Sequence, residues 1–321
     1  MTIVVISTGG TIASTEDSGG DAKPELTGSD LIASVPTLSE HIDLMTKEFS
    51  NVPSAHFTIE DMTELARLID SYDNDDEITG VVVTQGTDVL EESAYFVDLC
   101  YNGETPVVFT GAMRNPSVAS PDGPANLLTA ITTADDPDAR DRGVLVAFND
   151  QIHAAREVTK THSMRVDTFR SPEFGPLGTR DESTVRWQSR IDRTPTPTGD
   201  VASFPNDVGT LFVTADMPQW QVPKPSQCDG VVLAATGAGH IPPRLIDPLS
   251  RLTDADVPVV ATTRCPTGRL ATSTYDFEGS EATLQEMGCY YSHRNPQKAR
   301  IETIVAVASG EFDEILTNPR T

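Results

Sequence analysis

Seven short runs of β-branched and apolar residues punctuate the chain, and none alternates with polar residues. They are TIVVIS (2–7), GVVVTQ (80–85), PVVFTG (106–111), GVLVAFN (143–149), GTLFVT (209–214), GVVLAA (230–235) and PVVATT (258–263). A strand with one wet face alternates, so continuous runs predict strands covered on both faces, as in parallel sheets. Helical patterns lie between them: 58–72, 90–101, 123–134, 243–254 and 280–288. Strand–helix alternation along the whole chain predicts an α/β fold with parallel sheets and right-handed crossovers. At 321 residues the chain exceeds one ordinary core, so two domains are expected. The segment SRIDRTPTPTGDVASFPND (189–207) breaks the rhythm with prolines, threonines and polar residues. It is the expected linker between a larger unit at 1–188 and a smaller one at 208–321 with three or so strands.

Charge narrows the partners. Forty-eight acidic residues against 23 basic ones give a net charge of −25, with an isoelectric point near 4.4. A surface this negative repels nucleic acid and anionic membranes. Only Lys23, Lys47, Lys160, Lys224 and Lys298 are lysines, and the acids are dispersed rather than gathered in a tail. That pattern resembles proteins adapted to high salt, where screening removes self-repulsion. No apolar stretch is long enough to span a bilayer. The N-terminal run carries no preceding basic segment, so the expectation is a cytoplasmic protein without a cleaved signal. Cys100, Cys228, Cys265 and Cys289 are scattered without metal-ligand spacing and read as buried free thiols.

In open parallel sheets ligands sit beyond the carboxyl ends of strands. Four expected ends carry unusual residues: STGGT, TQGTD, TGAMR and FNDQ. Neither STGGTIA nor TGAGHIP meets a nucleotide-binding fingerprint. Gly9, Gly10 and Gly86 permit sharp turns and close backbone approach, next to the hydroxyls of Thr11 and Thr87. A threonine is a weak nucleophile until a base takes its proton. Asp88 adjoins Thr87, and Lys160 stands beside another strand end. Each has a plain alternative: Asp88 and Glu91 fit a helix capping box, Thr11 a turn residue, and Lys160 a solvated charge. Singly those alternatives win; together the residues tilt modestly towards catalysis.

TGGTIA, TQGTDVLEESAYF, VFTGAMR, SPDGPANLLTA, RGVLVAFND and VTKT resemble the bacterial-type L-asparaginase family, and FGPLG, CPTGR and NPQKAR extend the likeness over nearly the whole chain. With its charge, the chain resembles a haloarchaeal member. The resemblance implies a doubly wound parallel N-terminal domain and a smaller parallel α/β C-terminal domain. It further implies a homotetramer, built as a dimer of close dimers, whose C-terminal domains complete the partners' sites. The implied reaction turns L-asparagine and water into L-aspartate and ammonia, without metal or organic cofactor.

On the matching positions, Thr11 corresponds to the nucleophile, while Thr87, Asp88 and Lys160 correspond to a second cluster that assists proton transfer. Thr11 is favoured as nucleophile and Thr87 is kept as the alternative. Backbone N–H groups of the two turns would stabilise the oxyanion. Ser54 matches the residue holding the substrate α-carboxylate, and Asp88 would also pair with the α-ammonium. Gly86 supplies backbone at the pocket and the Ala112 carbonyl would face the leaving nitrogen. Gly10, Ala55, Thr15, His240 and Tyr275 form a second rank.

Departures are equally informative. The family's lid carries a tyrosine against the nucleophile, whereas 14–28 has none and the first tyrosine is Tyr72; Thr15 is a substitute hydroxyl, and Gly19-Gly20 still suit a mobile loop. Ala55 stands where several members have glutamine, His240 where many have asparagine, and Tyr275 where some have glutamate. Three rivals remain. One is a dual asparaginase/glutaminase. Another is the asparaginase-like subunit of a tRNA amidotransferase, which carries an additional N-terminal domain and sits poorly with −25. The third is a non-catalytic amino-acid-binding protein on the same fold.

Overall fold

The computed structural model describes residues 2–10, 12, 14–16, 22–24, 28–33, 35, 42–193, 196–197 and 203–319. The chain divides into two compact units, Met1–Thr194 and Pro195–Thr321.

The first unit contains strands β1 (Thr2–Ser7), β2 (Ser14–Glu16), β3 (Ala22–Pro24), β4 (Asp43–Glu48), β5 (Ile78–Thr84), β6 (Val107–Thr110), β7 (Val144–Phe148), β8 (Gln151–Ala154), β9 (Thr159–Lys160), β10 (Phe169–Arg170), β11 (Gly178–Asp181) and β12 (Thr184–Trp187). Its α-helices are α1 (Gly28–Ala33), α2 (Ile59–Asp73), α3 (Leu90–Cys100) and α4 (Gly123–Asp135). Eight strands form one sheet in the order β12-β11-β8-β7-β6-β5-β1-β4. The pairs from β4 through β7 are parallel, as the continuous apolar runs predict. Ile3, Val5, Val82, Val108 and Leu145 pack with Leu127, Ala130 and Ile131 of α4. The intervening residues Val4, Ile6, Val81, Val83, Val107 and Phe109 are equally buried, and they point to the opposite face. Helices α2 and α3 pack on each other, α2 also on β5 and α3 on β6 and β7. Fully burying each such side chain contributes about 1.5–3 kcal/mol.

The sheet is not parallel throughout. At FND the chain turns back: Phe148 pairs with Gln151 across Asn149 and Asp150, whose φ values are 50° and 58°. Two central residues with positive φ are what a type I′ hairpin turn requires, and Asn and Asp accept that conformation more readily than most side chains. β8, β11 and β12 therefore extend the sheet antiparallel.

The second unit is an all-parallel four-stranded sheet in the order β13 (Val208–Phe212), β14 (Gly230–Ala235), β15 (Val259–Thr263), β16 (Tyr290–Tyr291). Helix α5 (Ile246–Thr253) and the short α6 (Glu281–Glu286) cover one face through Leu249, Leu252 and Leu284, against Val231 and Leu233. Helix α7 (Pro296–Ser309) covers the other through Ala299 and Ala306, against Val232 and Val260; α8 (Phe312–Ile315) follows it. α7 has clear end signals: the Asn295 side chain accepts the Lys298 N–H, Pro296 opens the first turn, and Gly310 ends it at φ 75°.

All four cysteines are free, but only Cys289 is buried; Cys100 and Cys228 are intermediate and Cys265 is exposed. Among the described residues no helix is long and apolar enough to cross a membrane.

Candidate active site

Parallel order brings β1, β5, β6 and β7 side by side, so the ends of their motifs meet at one edge. Threonines extend the ladder past the last strand residues. The Thr8 N–H and Oγ1 both donate to the Thr84 carbonyl, at 3.0 and 3.1 Å. The Gln85 N–H donates to the Thr110 carbonyl at 2.9 Å, and Thr110 Oγ1 to the Ala147 carbonyl at 2.8 Å. These bonds hold the starts of the turns in register with the sheet.

The glycines then let the turns touch. A Cβ on Gly10 would lie 2.3 Å from both N and Cα of Gly86, and Gly10 itself has φ 87°. On Gly111 a Cβ would lie 2.3 Å from the Gln85 carbonyl oxygen. Only glycine tolerates either approach. Thr11, the expected nucleophile, lies outside the described residues. Its chain neighbour Ile12 is buried in the same core cluster as Ala112. Thr15 lies in β2, opposite Lys23; Gly19-Gly20, the expected mobile loop, lie outside the described residues.

Ser54 is the hub of the TQGTD turn. Its hydroxyl donates to the Gly86 carbonyl at 2.7 Å and accepts the N–H groups of Asp88 and Val89 at 3.0 and 3.2 Å. The hydroxyl has one proton and two lone pairs, so its capacity is filled. To donate to a carboxylate it must release the Gly86 carbonyl. Ala55, next in the same short turn, is exposed.

Thr87 is buried at 6% exposure and meets Lys160 across 73 residues of sequence, Nζ to Oγ1 at 2.8 Å. The same ammonium reaches Asp88 Oδ1 at 2.9 Å. Lys160 is no solvated charge, since its side chain is only 16% exposed, whereas that of Asp88 is 65% exposed. A hydroxyl, an amine and a carboxylate in one hydrogen-bonded row can pass a proton to and from the hydroxyl. Asp88 and Glu91 do not form the capping box their spacing suggests. Val89 occupies the N-cap of α3 without a side-chain cap bond, and Glu91 accepts the Lys160 backbone N–H at 3.0 Å.

A similar diversion holds the TGAMR turn. Asp122, at the N-cap of α4, makes no cap bond; its carboxylate accepts the N–H groups of Met113 and Arg114. Asn126 bridges the neighbouring turns, donating to the Gly111 carbonyl at 3.0 Å and accepting the Asn149 N–H at 2.9 Å. Ala112 is fully buried between these contacts. The sequence reading missed Glu91, Asp122 and Asn126 as site residues. Asp-x-x-Glu and Asp-Gly-Pro look like helix starts, and the carboxylates serve other loops instead.

In the second unit His240 and Tyr275 come together. The TGAGH turn closes with Thr236 Oγ1 donating to the His240 carbonyl at 2.8 Å. The imidazole packs edge-on to Tyr275 with ring centroids 4.8 Å apart, and Phe277 lies at 4.9 Å. Its Nε2 stands 3.7 Å from the buried Glu281 carboxylate. Burial pushes the Glu281 carboxyl up, but backbone N–H donors led by Tyr275, with His240 beyond them, carry it below the usual carboxylate range. Among the described residues no His, Cys, Asp or Glu group is gathered as a metal site.

Residues 2–193 match the asparaginase N-terminal family, and residues 207–317 match the glutaminase/asparaginase C-terminal domain. The chain is 33% identical to an L-asparaginase of Bacillus licheniformis over 316 residues, covering 96% of this chain and 95% of that protein. It is 37% identical to a probable L-asparaginase of Deinococcus radiodurans over 324 residues, 97% and 94% of the two chains. A glutaminase-asparaginase of Pseudomonas aeruginosa is 30% identical over 316 residues, 95% and 86%. In fold the chain matches the crystal structure of a probable cytoplasmic L-asparaginase from Campylobacter jejuni, with a TM-score of 0.84, 29% identity and coverage of 100% and 99%.

Proposed function

Because the chain belongs to the asparaginase family, we propose that it hydrolyses L-asparagine to L-aspartate and ammonia through a threonine nucleophile. The observation that carries the mechanism is the Thr87–Lys160–Asp88 row, with its 2.8 and 2.9 Å contacts. In the proposed sequence a threonine Oγ attacks the side-chain amide carbon and its proton leaves through that row. Thr11 is the favoured attacker, and Thr87 then serves the proton transfers. The row returns that proton to the nitrogen as the tetrahedral intermediate collapses, so ammonia leaves and a threonyl ester of aspartate remains. Water, deprotonated by the same row, hydrolyses that ester and restores the hydroxyl.

Backbone N–H groups at the Gly10 and Gly86 turns would stabilise the oxyanion. Ser54 would bind the α-carboxylate after exchanging its Gly86 bond for the substrate, Asp88 would take the α-ammonium, and the Ala112 carbonyl the leaving nitrogen. The proposed enzyme is a cytoplasmic, salt-adapted homotetramer that uses no metal or organic cofactor. A dual asparaginase/glutaminase is the second reading, favoured by the likeness to the Pseudomonas aeruginosa protein.

The test is ammonia release from L-asparagine and, separately, L-glutamine at low and at molar salt, with the size in solution measured alongside. Asparagine turnover that rises with salt supports enzyme and salt adaptation together. Comparable glutamine turnover selects the dual enzyme. Binding of asparagine by folded protein, with no ammonia at any salt, selects the non-catalytic binding protein.

A further inference from the structure

Lys160 is gripped at both ends by one helix start. Its ammonium meets Asp88 Oδ1 at 2.9 Å, and its backbone N–H donates to Glu91 Oε2 at 3.0 Å. Asp88 and Glu91 stand three residues apart around the start of α3, on a spacing that ordinarily satisfies a helix's own N–H groups. Here the N-cap is Val89 and makes no side-chain cap bond.

The bonds that flank β9 belong to its neighbours: the Val158 N–H donates to the Ala154 carbonyl at 3.0 Å and the Thr161 N–H to the Thr168 carbonyl at 2.9 Å. β9 is two residues long and, among the described residues, pairs with the two-residue β10, Phe169 opposite Lys160 and Arg170 opposite Thr159. The Lys160 amide hydrogen is spent on α3 and adds nothing to that ladder. Glu91 is 4% exposed. A buried carboxylate is costly unless bonded and favourably placed, and the first turn of a helix is where negative charge is favoured.

We propose that Glu91 is a positioning residue for the reaction: its carboxylate fixes the main chain of β9 so that the Lys160 amine lands between Thr87 Oγ1 and Asp88 Oδ1. This rests on the asparagine-hydrolase reading above. Proton transfer along hydrogen bonds tolerates little misplacement, and a shift of about 1 Å can cost on the order of 100-fold in rate. A lysine stem has freedom enough to miss Thr87 if its backbone drifts. Asp88 alone, largely exposed, cannot supply that constraint.

Reach and charge separate cleanly in two conservative variants. Glu91→Gln keeps an acceptor oxygen at the same reach and drops the charge; Glu91→Asp keeps the charge and shortens the reach by one methylene. Positioning predicts that Glu91→Gln retains kcat for asparagine within about threefold. Glu91→Asp loses roughly 10- to 100-fold in kcat with KM within about twofold. Full activity in Glu91→Asp overturns the proposal, as does equal loss in both variants. Hydrogen exchange at the Lys160 amide gives a second readout, independent of turnover. Protection should persist in Glu91→Gln and fall in Glu91→Asp, and unchanged protection in both overturns the proposal. A wild-type protein silent towards asparagine sinks the hydrolase reading instead, and exchange then decides whether Glu91 holds Lys160.

Discussion

Removing one hydroxyl should loosen the TQGTD turn without disturbing the packing around it. Ser54→Ala keeps the Cβ, which fits so tightly that a Cβ on Gly86 would lie 2.6 Å from it. The substitution therefore isolates the three hydrogen bonds of Oγ. The N–H groups of Asp88 and Val89 sit at the edge, where water can replace the lost acceptor, so they contribute little to the loss. The carbonyl of Gly86 is buried, and a buried group left without its partner costs about 1–3 kcal/mol. With residual losses at the two N–H groups the total stays at roughly 1–3 kcal/mol. For a unit of this size that lowers Tm by about 2–12 °C. Catalysis should suffer more, because the same turn presents Thr87 and Asp88 and the same hydroxyl is the proposed carboxylate donor. KM for asparagine should rise at least about tenfold, one charge-assisted hydrogen bond's worth. Thermal unfolding and steady-state ammonia release check the two arms. A variant with wild-type Tm and KM within twofold would refute the view of Ser54 as the hub of this turn.

Three further outcomes follow from the geometry. Gly10→Ala forces a Cβ against Gly86 backbone at φ 87°, so it should cost roughly 2–6 kcal/mol from left-handed strain and overpacking together; an alanine variant with unchanged Tm would contradict the turn-to-turn contact. Thr11→Ala should lower turnover on the order of 1000-fold or more, whereas near-wild-type kinetics would pass the nucleophile's role to Thr87. Asp73 accepts the Tyr101 hydroxyl at 2.9 Å and the Thr105 N–H at 2.8 Å. Burial raises its pKa, but these donors outweigh it and hold the carboxyl below its ordinary value. Its stabilisation is thus full above about pH 4, the unfolded pKa, and is lost as pH falls through the lower folded pKa. Asp73→Asn should flatten that acid limb in urea titrations at several pH values, and an unaltered limb would contradict the assignment.

The buried centre of each sheet was legible because parallel strands leave no polar residue to hide the pattern. All seven continuous runs coincide with strands. β4 escaped notice because DLMTKE is an edge strand in which only Leu44 and Thr46 are even half-buried, so its composition resembles a loop. β8, β11 and β12 are four-residue strands of mixed polarity, and the Asn-Asp turn before β8 resembled a functional strand end. Helix α7 was missed although Asn295, Pro296 and Gly310 mark its ends. Buried against two faces of neighbours, IETIVAVAS shows no clean amphipathic stripe. At the site, residue types within one motif were readable: Thr87 beside Asp88, Gly10 beside Thr11. The grip of Glu91 on Lys160 spans 69 residues, and its local spacing matches a helix cap better than anything else. Of the four thiols expected inside only Cys289 is buried, so cysteine's average burial says little about one position.

The most direct test compares the wild-type protein with Lys160→Met on L-asparagine, at matched molar salt. Methionine fills the stem's space but cannot exchange a proton with Thr87. The Lys160–Asp88 pair is largely solvent-exposed on the Asp88 side, so its loss should change stability by no more than about 1 kcal/mol. The account predicts ammonia release by the wild type, turnover about 100- to 10,000-fold lower in the variant, and closely similar Tm values. A fully active Lys160→Met, or a folded wild type that releases no ammonia, would contradict it.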